Sequence, residues 1–250
     1  MFTKLINDIV NARMNHTVLT DQDVNQLSGI SISQAYELQK EIIDGAGVGI
    51  SGWKLGGTNS KTREVFNVKE LYWGAVFEGE ITNSSSKINL ERGEVEIAFK
   101  LNKNIETLSD EVTLSELDLY IESVSLSIEY PWSTFKSFGK AGVLALITDC
   151  CASGQCLLGR AIPFDEFNGE ASVDVEIDGV IVESGSSKLL VDGLYNTLCD
   201  FINNAHSRDF SLKKDQWVFT GGITSCRVYK KDMQVMLKCD GLPDISFKVV

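Results

Sequence analysis

The run GEVEIAFKL, Gly93 to Leu101, puts Glu94 and Glu96 on one side of an alternating pattern and Val95, Ile97, Phe99 and Leu101 on the other. A period of two marks a strand with one face in a core, yet glutamate is a poor strand former. Carboxylates at i and i+2 share a face of a strand that rises about 3.3 Å per residue. They repel, and each raises the other's pKa, so open water or a cation must make the pairing tolerable. A second run, ESVSLSIEYP from Glu122 to Pro131, repeats the design: Val124, Leu126 and Ile128 on one face, Ser123, Ser125, Ser127 and Glu129 on the other. Laid side by side, the two strands bring Glu94, Glu96 and Glu129 together. Three carboxylates plus waters make a hard-cation site suited to Mg²⁺ or Mn²⁺. Two amphipathic strands with solvated glutamates satisfy the same pattern.

Three further stretches carry groups of chemical interest. In SGWKLGGTNSK, Lys54 lies between Trp53 and Leu55 and precedes Gly56-Gly57-Thr58. Such a lysine either points into a pocket, where it meets an anion, or snorkels at the surface. In ITDCCASGQCLLG, Asp149 ends an apolar run read as a strand, and Ala152-Ser153-Gly154 form a small-residue turn; the aspartate lines a site or caps the turn. FTGGITS, Phe219 to Ser225, lacks the G-K-[ST] of a phosphate loop and reads as a backbone turn at the mouth of a pocket. The only histidines, His16 and His206, have no clear aspartate partner, which leaves Cys-His and Ser-His-Asp mechanisms without support.

The elements that must position these residues follow a simple order. Phe2, Leu5, Ile6, Ile9 and Val10 have helical spacing, and SISQAYELQKEIID predicts a second helix capped by Ser31 or Ser33 and closed by Gly45. TDQDVNQLSG, between them, has loop chemistry. From about Trp53 short alternating runs take over: AVFEGEI, EVEIAFKL, SVSLSIEY, GVLALIT, ASVDVEIDGVIV and DISFKVV, punctuated by clusters such as ITNSSSKIN. DVEIDGVIVESG predicts a hairpin turning at Asp178-Gly179, and LLVDGLYNTLCDFINNAH a late helix. Helices first and strands afterwards imply an α+β protein with a mixed, rolled sheet: one domain over residues 1–250, with a helical cap at 1–50 and a catalytic core at 51–250. A net charge of −12 argues against nucleic acid or an anionic membrane as partner. No run approaches the roughly 20 apolar residues of a membrane span. Six cysteines without C-x-x-C spacing and no signal peptide point to reduced thiols and a cytoplasmic location.

Taken in order, these stretches resemble the fumarylacetoacetate hydrolase superfamily, in its branch of 2-oxopent-4-enoate hydratases and 4-oxalocrotonate decarboxylases. SQAYELQKEI is similar to the branch's AYxxQ helix, GWKLGGTN to its GxKxGLTS loop, ERGEVEIAFKL to PRxEAEIAFxL, TDCCASG to ADNASSG and VFTGG to VLTGA, while IESVSLSIEYP matches the segment of the third metal-binding glutamate. The resemblance implies a mixed β-sheet roll holding Mg²⁺ or Mn²⁺ on Glu94, Glu96 and Glu129. It implies Lys54 and Asp149 as catalytic residues, with Asp149 orienting Lys54 or a water, and Gly56, Thr58, Ser153 and Thr220 as substrate contacts. The implied activity is hydration of a 2-hydroxydienoate to a 4-hydroxy-2-oxo acid. Alternatives are decarboxylation of a 2-oxo-enedioate, with Arg92 or Arg160 receiving the second carboxylate, and a non-catalytic role in a complex with a related hydratase or decarboxylase. A homo-oligomer and a small 2-oxo acid substrate are implied as well. The sequence departs from the pattern at Cys150, where the family has Asn, at Gly57 and Asn59 in the lysine loop, and at DGLYN before the late helix.

Overall fold

The computed structural model describes residues 2–83, 87–136 and 138–250; the serine run at 84–86, which the sequence marks as a turn, lies outside the described residues. The N-terminal apolar spacing forms helix α1 (Thr3–Met14), which buries Leu5, Ile6 and Ile9. The segment expected as a loop contains a short helix, α2 (Asp21–Asn25). Its signal is local: the Asp23 carboxylate accepts from the Thr20 N–H at 3.1 Å and the Thr20 hydroxyl at 2.6 Å. Helix α3 (Ile32–Ala46) begins at a capping box between Ser31 and Gln34. It ends not at Gly45 but at Gly47, whose φ of 65° supplies the left-handed C-cap. Helices α4 (Ser60–Phe66), α5 (Phe138–Thr148) and α6 (Leu194–Ser207) follow. Buried Gln39 donates to the carbonyls of Trp73 at 3.0 Å and Ile147 at 2.5 Å, tying α3 to the sheet and to α5.

The expectation of a strand at GVLALIT is corrected, because these residues form the second half of α5, after a kink at Gly142 with φ 78°. A continuous apolar run has no period that separates a buried strand from a buried helix. Asp149 therefore follows a helix.

Among the described residues, fourteen strands build two sheets. They are β1 (Ile50–Gly56), β2 (Tyr72–Phe77), β3 (Ile81–Asn83), β4 (Lys87–Ile88), β5 (Arg92–Leu101), β6 (Ile121–Tyr130) and β7 (Gln155–Leu158). After them come β8 (Ile162–Pro163), β9 (Ser172–Ile177), β10 (Val180–Ser186), β11 (Trp217–Phe219), β12 (Arg227–Val228), β13 (Gln234–Asp240) and β14 (Ile245–Val249). The larger sheet is mixed and curled into a half-barrel, in the order β2-β1-β11-β5-β6-β7-β3, with β12 on β5 and β8 on β6. The smaller runs β10-β9-β13-β14-β4. The hairpin β9–β10 turns at Asp178 and Gly179, both with positive φ (51° and 84°), as a two-residue primed turn requires.

The α+β architecture thus stands as read from the sequence, and alternation along β5 and β1 sorts their side chains. Val95, Ile97, Phe99 and Leu101, with Trp53 and Leu55, enter the main hydrophobic core. The opposite face carries Glu94, Glu96, Ala98 and Lys54, and Ala98 packs in a small second cluster with Val76, Cys156, Leu158 and Phe219. On that face Glu96 and Glu129 are fully buried, while the Glu94 side chain keeps 20% of its surface exposed.

Candidate metal centre

Register decides which carboxylates meet. On the antiparallel pair β5–β6, Glu94 lies directly across from Glu129, and Glu96 across from Ser127. One carboxylate oxygen from each of Glu94, Glu96 and Glu129 lies within 4.8 Å of the other two. Glu96 and Glu129 are fully buried, which removes the solvated reading for these two, while Glu94 is partly exposed. Lys54 reaches the same point from β1, its neighbours Trp53 and Leu55 held in the core. Its Nζ donates to Glu129 Oε2 at 2.9 Å and stands 3.9 Å from Glu94 Oε1.

Three carboxylates against one ammonium leave two negative charges in excess when all are ionised. Burial, with Glu94 and Glu129 as neighbours, pushes the Glu96 carboxyl well above the usual carboxylate range. Burial likewise raises Glu129, to about 7, against the opposing pull of Lys54. Burial alone would lower the Lys54 ammonium, but Glu129 and Glu94 outweigh it and hold its pKa well above the ordinary value. Glu96 Oε2 accepts from the Gly221 amide at 3.1 Å, whereas its Oε1 is buried without a hydrogen-bond partner among the described residues. A buried anionic oxygen left so is costly unless something positive meets it. The donor set is all oxygen, and a hard dication such as Mg²⁺ or Mn²⁺ fits both the charge deficit and the free oxygen.

Two tight turns fix the ends of these carboxylates. At Gly221, with φ 91°, a Cβ would lie 2.2 Å from Thr58 Oγ1, and at Gly222 one would lie 2.4 Å from Glu94 Oε2. The sequence FTGG therefore lets backbone close on the cluster, as expected of a turn at a pocket mouth. Gly222→Ala should push Glu94 aside and weaken Mn²⁺ binding about tenfold with the fold retained, by analogy with other supports of a metal ligand; equilibrium dialysis checks it. The second turn is Cys150–Ala152, whose three residues all have positive φ (50°, 58° and 51°) without a glycine. Each such residue costs roughly 1–2 kcal/mol, so surrounding contacts must impose the turn. Beyond it, the Gly154 amide donates to Glu129 Oε1 at 3.3 Å.

The cluster opens on a cavity of about 180 Å³, lined by Lys54, Glu94, Gly56, Thr58, Phe66, Tyr72, Leu146 and Cys151 among others. Lys54, Gly56 and Thr58 thus line this cavity. Asp149 does not, and the expectation that it orients Lys54 is corrected. Its Oδ2 accepts from Ser133 Oγ at 2.6 Å and the Thr134 amide at 2.8 Å, and its Oδ1 from Arg13 Nη1 at 3.0 Å. Glu129 holds Lys54 instead. Ser153 is fully buried, its hydroxyl donating to the Ala75 carbonyl at 2.5 Å, and Thr220 spends its hydroxyl on the Ile97 carbonyl at 2.9 Å. In both loops the neighbouring glycine amide serves the site. Among the described residues no histidine lines the cavity, nor does Arg92 or Arg160. Residues that sequence reasoning missed include the apolar wall Phe66, Tyr72 and Leu146, and Arg13, whose place in an ordinary amphipathic helix gave no signal.

No family model matches the sequence, and no curated protein does. Solved structures do match. The 4-oxalocrotonate decarboxylase from Pseudomonas putida G7, complexed with magnesium and adipate, superposes with a TM-score of 0.87 at 20% identity, over 99% of this chain and 96% of that one. The fumarylpyruvate hydrolase from Pseudomonas aeruginosa, in complex with Mn²⁺ and pyruvate, gives 0.59 at 12% identity over 79% and 88%. The 5-carboxymethyl-2-hydroxymuconate delta-isomerase from Mycobacterium smegmatis gives 0.61 at 15% identity, over 80% of each chain. The chain has the fold of the fumarylacetoacetate hydrolase superfamily, and the branch its motifs resemble includes the decarboxylase it overlays almost end to end.

Proposed function

We propose that this protein is a divalent-metal-dependent lyase that adds water to a 2-hydroxydienoate and releases a 4-hydroxy-2-oxo acid. The observation that carries the reading is the buried convergence of Glu94, Glu96 and Glu129 around an uncompensated charge, with Lys54 beside them and a small, largely apolar cavity in front. The three glutamates would hold Mg²⁺ or Mn²⁺, consistent with the magnesium and manganese in the structural neighbours. When bound, the ion supplies Lewis-acid polarisation of a 2-oxo carboxylate, a natural bidentate ligand for a hard dication.

The chain's own groups do the rest. Lys54 stays protonated at neutral pH, so it acts as a fixed positive charge and hydrogen-bond donor towards negative charge developing on the substrate, and not as a base. Glu129 keeps that ammonium in place at 2.9 Å. Phe66, Tyr72 and Leu146 offer an apolar slot to the hydrocarbon end of the substrate and limit water there.

A second reading, decarboxylation of a 2-oxo-enedioate, draws support from the superposition on a decarboxylase that holds adipate. Lys54 is the only cation lining the cavity among the described residues, which favours a substrate with one carboxylate. A non-catalytic partner subunit would have no use for so strained a charge cluster. Proton NMR of 2-hydroxypenta-2,4-dienoate with metal-stripped protein should show 4-hydroxy-2-oxopentanoate only after Mg²⁺ is added. Conversion of 2-oxo-enedioate alone would replace the hydratase reading with the decarboxylase one, and metal binding without either product would favour the partner subunit.

The raised carboxyls give this site a pH dependence of known sign. Burial raises the Glu129 carboxyl to about 7 and pushes Glu96 well above the usual carboxylate range, so a cation must displace protons from them. Mn²⁺ affinity should therefore rise about tenfold or more from pH 6 to pH 8, with proton release on binding. Isothermal titration in two buffers of different ionisation enthalpy measures both.

A further inference from the structure

Helix α1 lies far from the three glutamates in sequence, yet its last turn carries the charge on which both ends of the left-handed turn Cys150–Ala152 close. Arg13 is only 3% exposed. Its Nη1 donates to the carbonyl and to Oδ1 of Asp149, both at 3.0 Å, and its Nη2 donates to the Ser153 carbonyl at 2.9 Å and the Ser153 hydroxyl at 3.0 Å. Asp149 precedes the turn and Ser153 follows it, so one rigid guanidinium sets the distance between its ends.

The turn has little room to move. A Cβ on Gly74 would lie 1.9 Å from the Cys150 carbonyl carbon, and one on Gly154 would lie 2.1 Å from the Tyr130 carbonyl oxygen. Cys151 and Ala152 form part of the cavity wall. Gly154 hands its N–H to Glu129. A second cavity, of about 290 Å³ and lined by Arg13, Phe77, Glu80, Trp132 and Gly154 among others, adjoins the guanidinium. From beside this cavity, the guanidinium bridges the two ends of the turn through its four hydrogen bonds.

We propose that Arg13 is a positioning residue for the metal centre: by clamping Asp149 to Ser153 it fixes the Gly154 amide on Glu129 and the Cys151–Ala152 wall of the cavity. The proposal rests on Glu94, Glu96 and Glu129 being metal ligands. A lysine at this position keeps the charge but cannot span both ends of the turn.

The test is a Mn²⁺ titration followed by electron paramagnetic resonance, with thermal melts of the same samples. Arg13→Lys should weaken Mn²⁺ binding about tenfold or more and alter the line shape of the bound ion. Ile9→Ala, on the same helix and fully buried, should lower the melting temperature while leaving Mn²⁺ affinity within about twofold. Ser153→Ala removes one of the four acceptors and should give a smaller loss of the same kind, which keeps the test open if Arg13→Lys does not fold. Wild-type affinity and line shape in Arg13→Lys would overturn the proposal. An equal loss in Ile9→Ala would also overturn it, since the effect would then be general destabilisation. Absence of Mn²⁺ binding by the wild-type protein would overturn the metal reading itself and this proposal with it.

Discussion

Glu96→Gln should abolish divalent-metal binding, lowering Mn²⁺ affinity at least about 100-fold, while the fold persists. Glutamine keeps the shape, and its carbonyl still accepts from the Gly221 amide that Glu96 Oε2 meets at 3.1 Å. Its NH₂ would donate where Glu96 Oε1 now has no partner among the described residues. The same change should stabilise the metal-free protein. Burial and two neighbouring carboxylates raise the folded-state pKa of Glu96, so destabilisation accumulates as pH climbs from the unfolded value, about 4.3, through the folded one. Removing the charge should therefore gain on the order of 1–2 kcal/mol at pH 8 and little at pH 4. Denaturant melts at the two pH values, beside equilibrium dialysis with Mn²⁺, check the pair of effects. Unchanged Mn²⁺ stoichiometry would remove Glu96 from the ligand set.

Lys54→Met should separate catalysis from metal binding. The methionine fills the stem's space but removes the ammonium that contacts Glu129 at 2.9 Å. If Lys54 stabilises developing negative charge on the substrate, turnover should fall about 10²–10³-fold. Mn²⁺ affinity should hold or tighten, because the cluster loses a competing cation. Metal-free protein should lose on the order of 3 kcal/mol at pH 8, since a buried Glu129 is left without its partner; protonation of Glu129 limits the loss at pH 6. Steady-state rates at saturating Mg²⁺ and a Mn²⁺ titration of the variant decide the point. A tenfold weaker Mn²⁺ affinity with intact turnover would make Lys54 a structural support of the ligands.

Much of this site was legible because strands expose their logic in the chain. The alternation around Glu94, Glu96 and Glu129 marks the shared face, and pairing of β5 with β6 turns that face into a cluster. Lys54 was legible from its apolar neighbours, and the Asp178-Gly179 turn from its residue types. The failures have physical reasons. GVLALIT lacks a period because it is buried on more than one side, so helix and strand look alike in it. Asp149, Ser153 and Thr220 sit in the right loops, but sequence displays side chains and this site uses the backbone amides of Gly154 and Gly221. Asp149 takes its role from Arg13, 136 residues away, a long-range partner that no local pattern announces.

The most direct test of the metal reading is electron paramagnetic resonance of Mn²⁺ added to the metal-stripped wild-type protein, before and after ¹⁷O-labelled pyruvate. A single bound Mn²⁺ per chain is expected at the three glutamates, with lines broadened by the labelled oxygens as a 2-oxo acid chelates it. Mn²⁺ that stays free in solution, or bound Mn²⁺ whose lines are indifferent to the label, would contradict a metal centre built for 2-oxo acids.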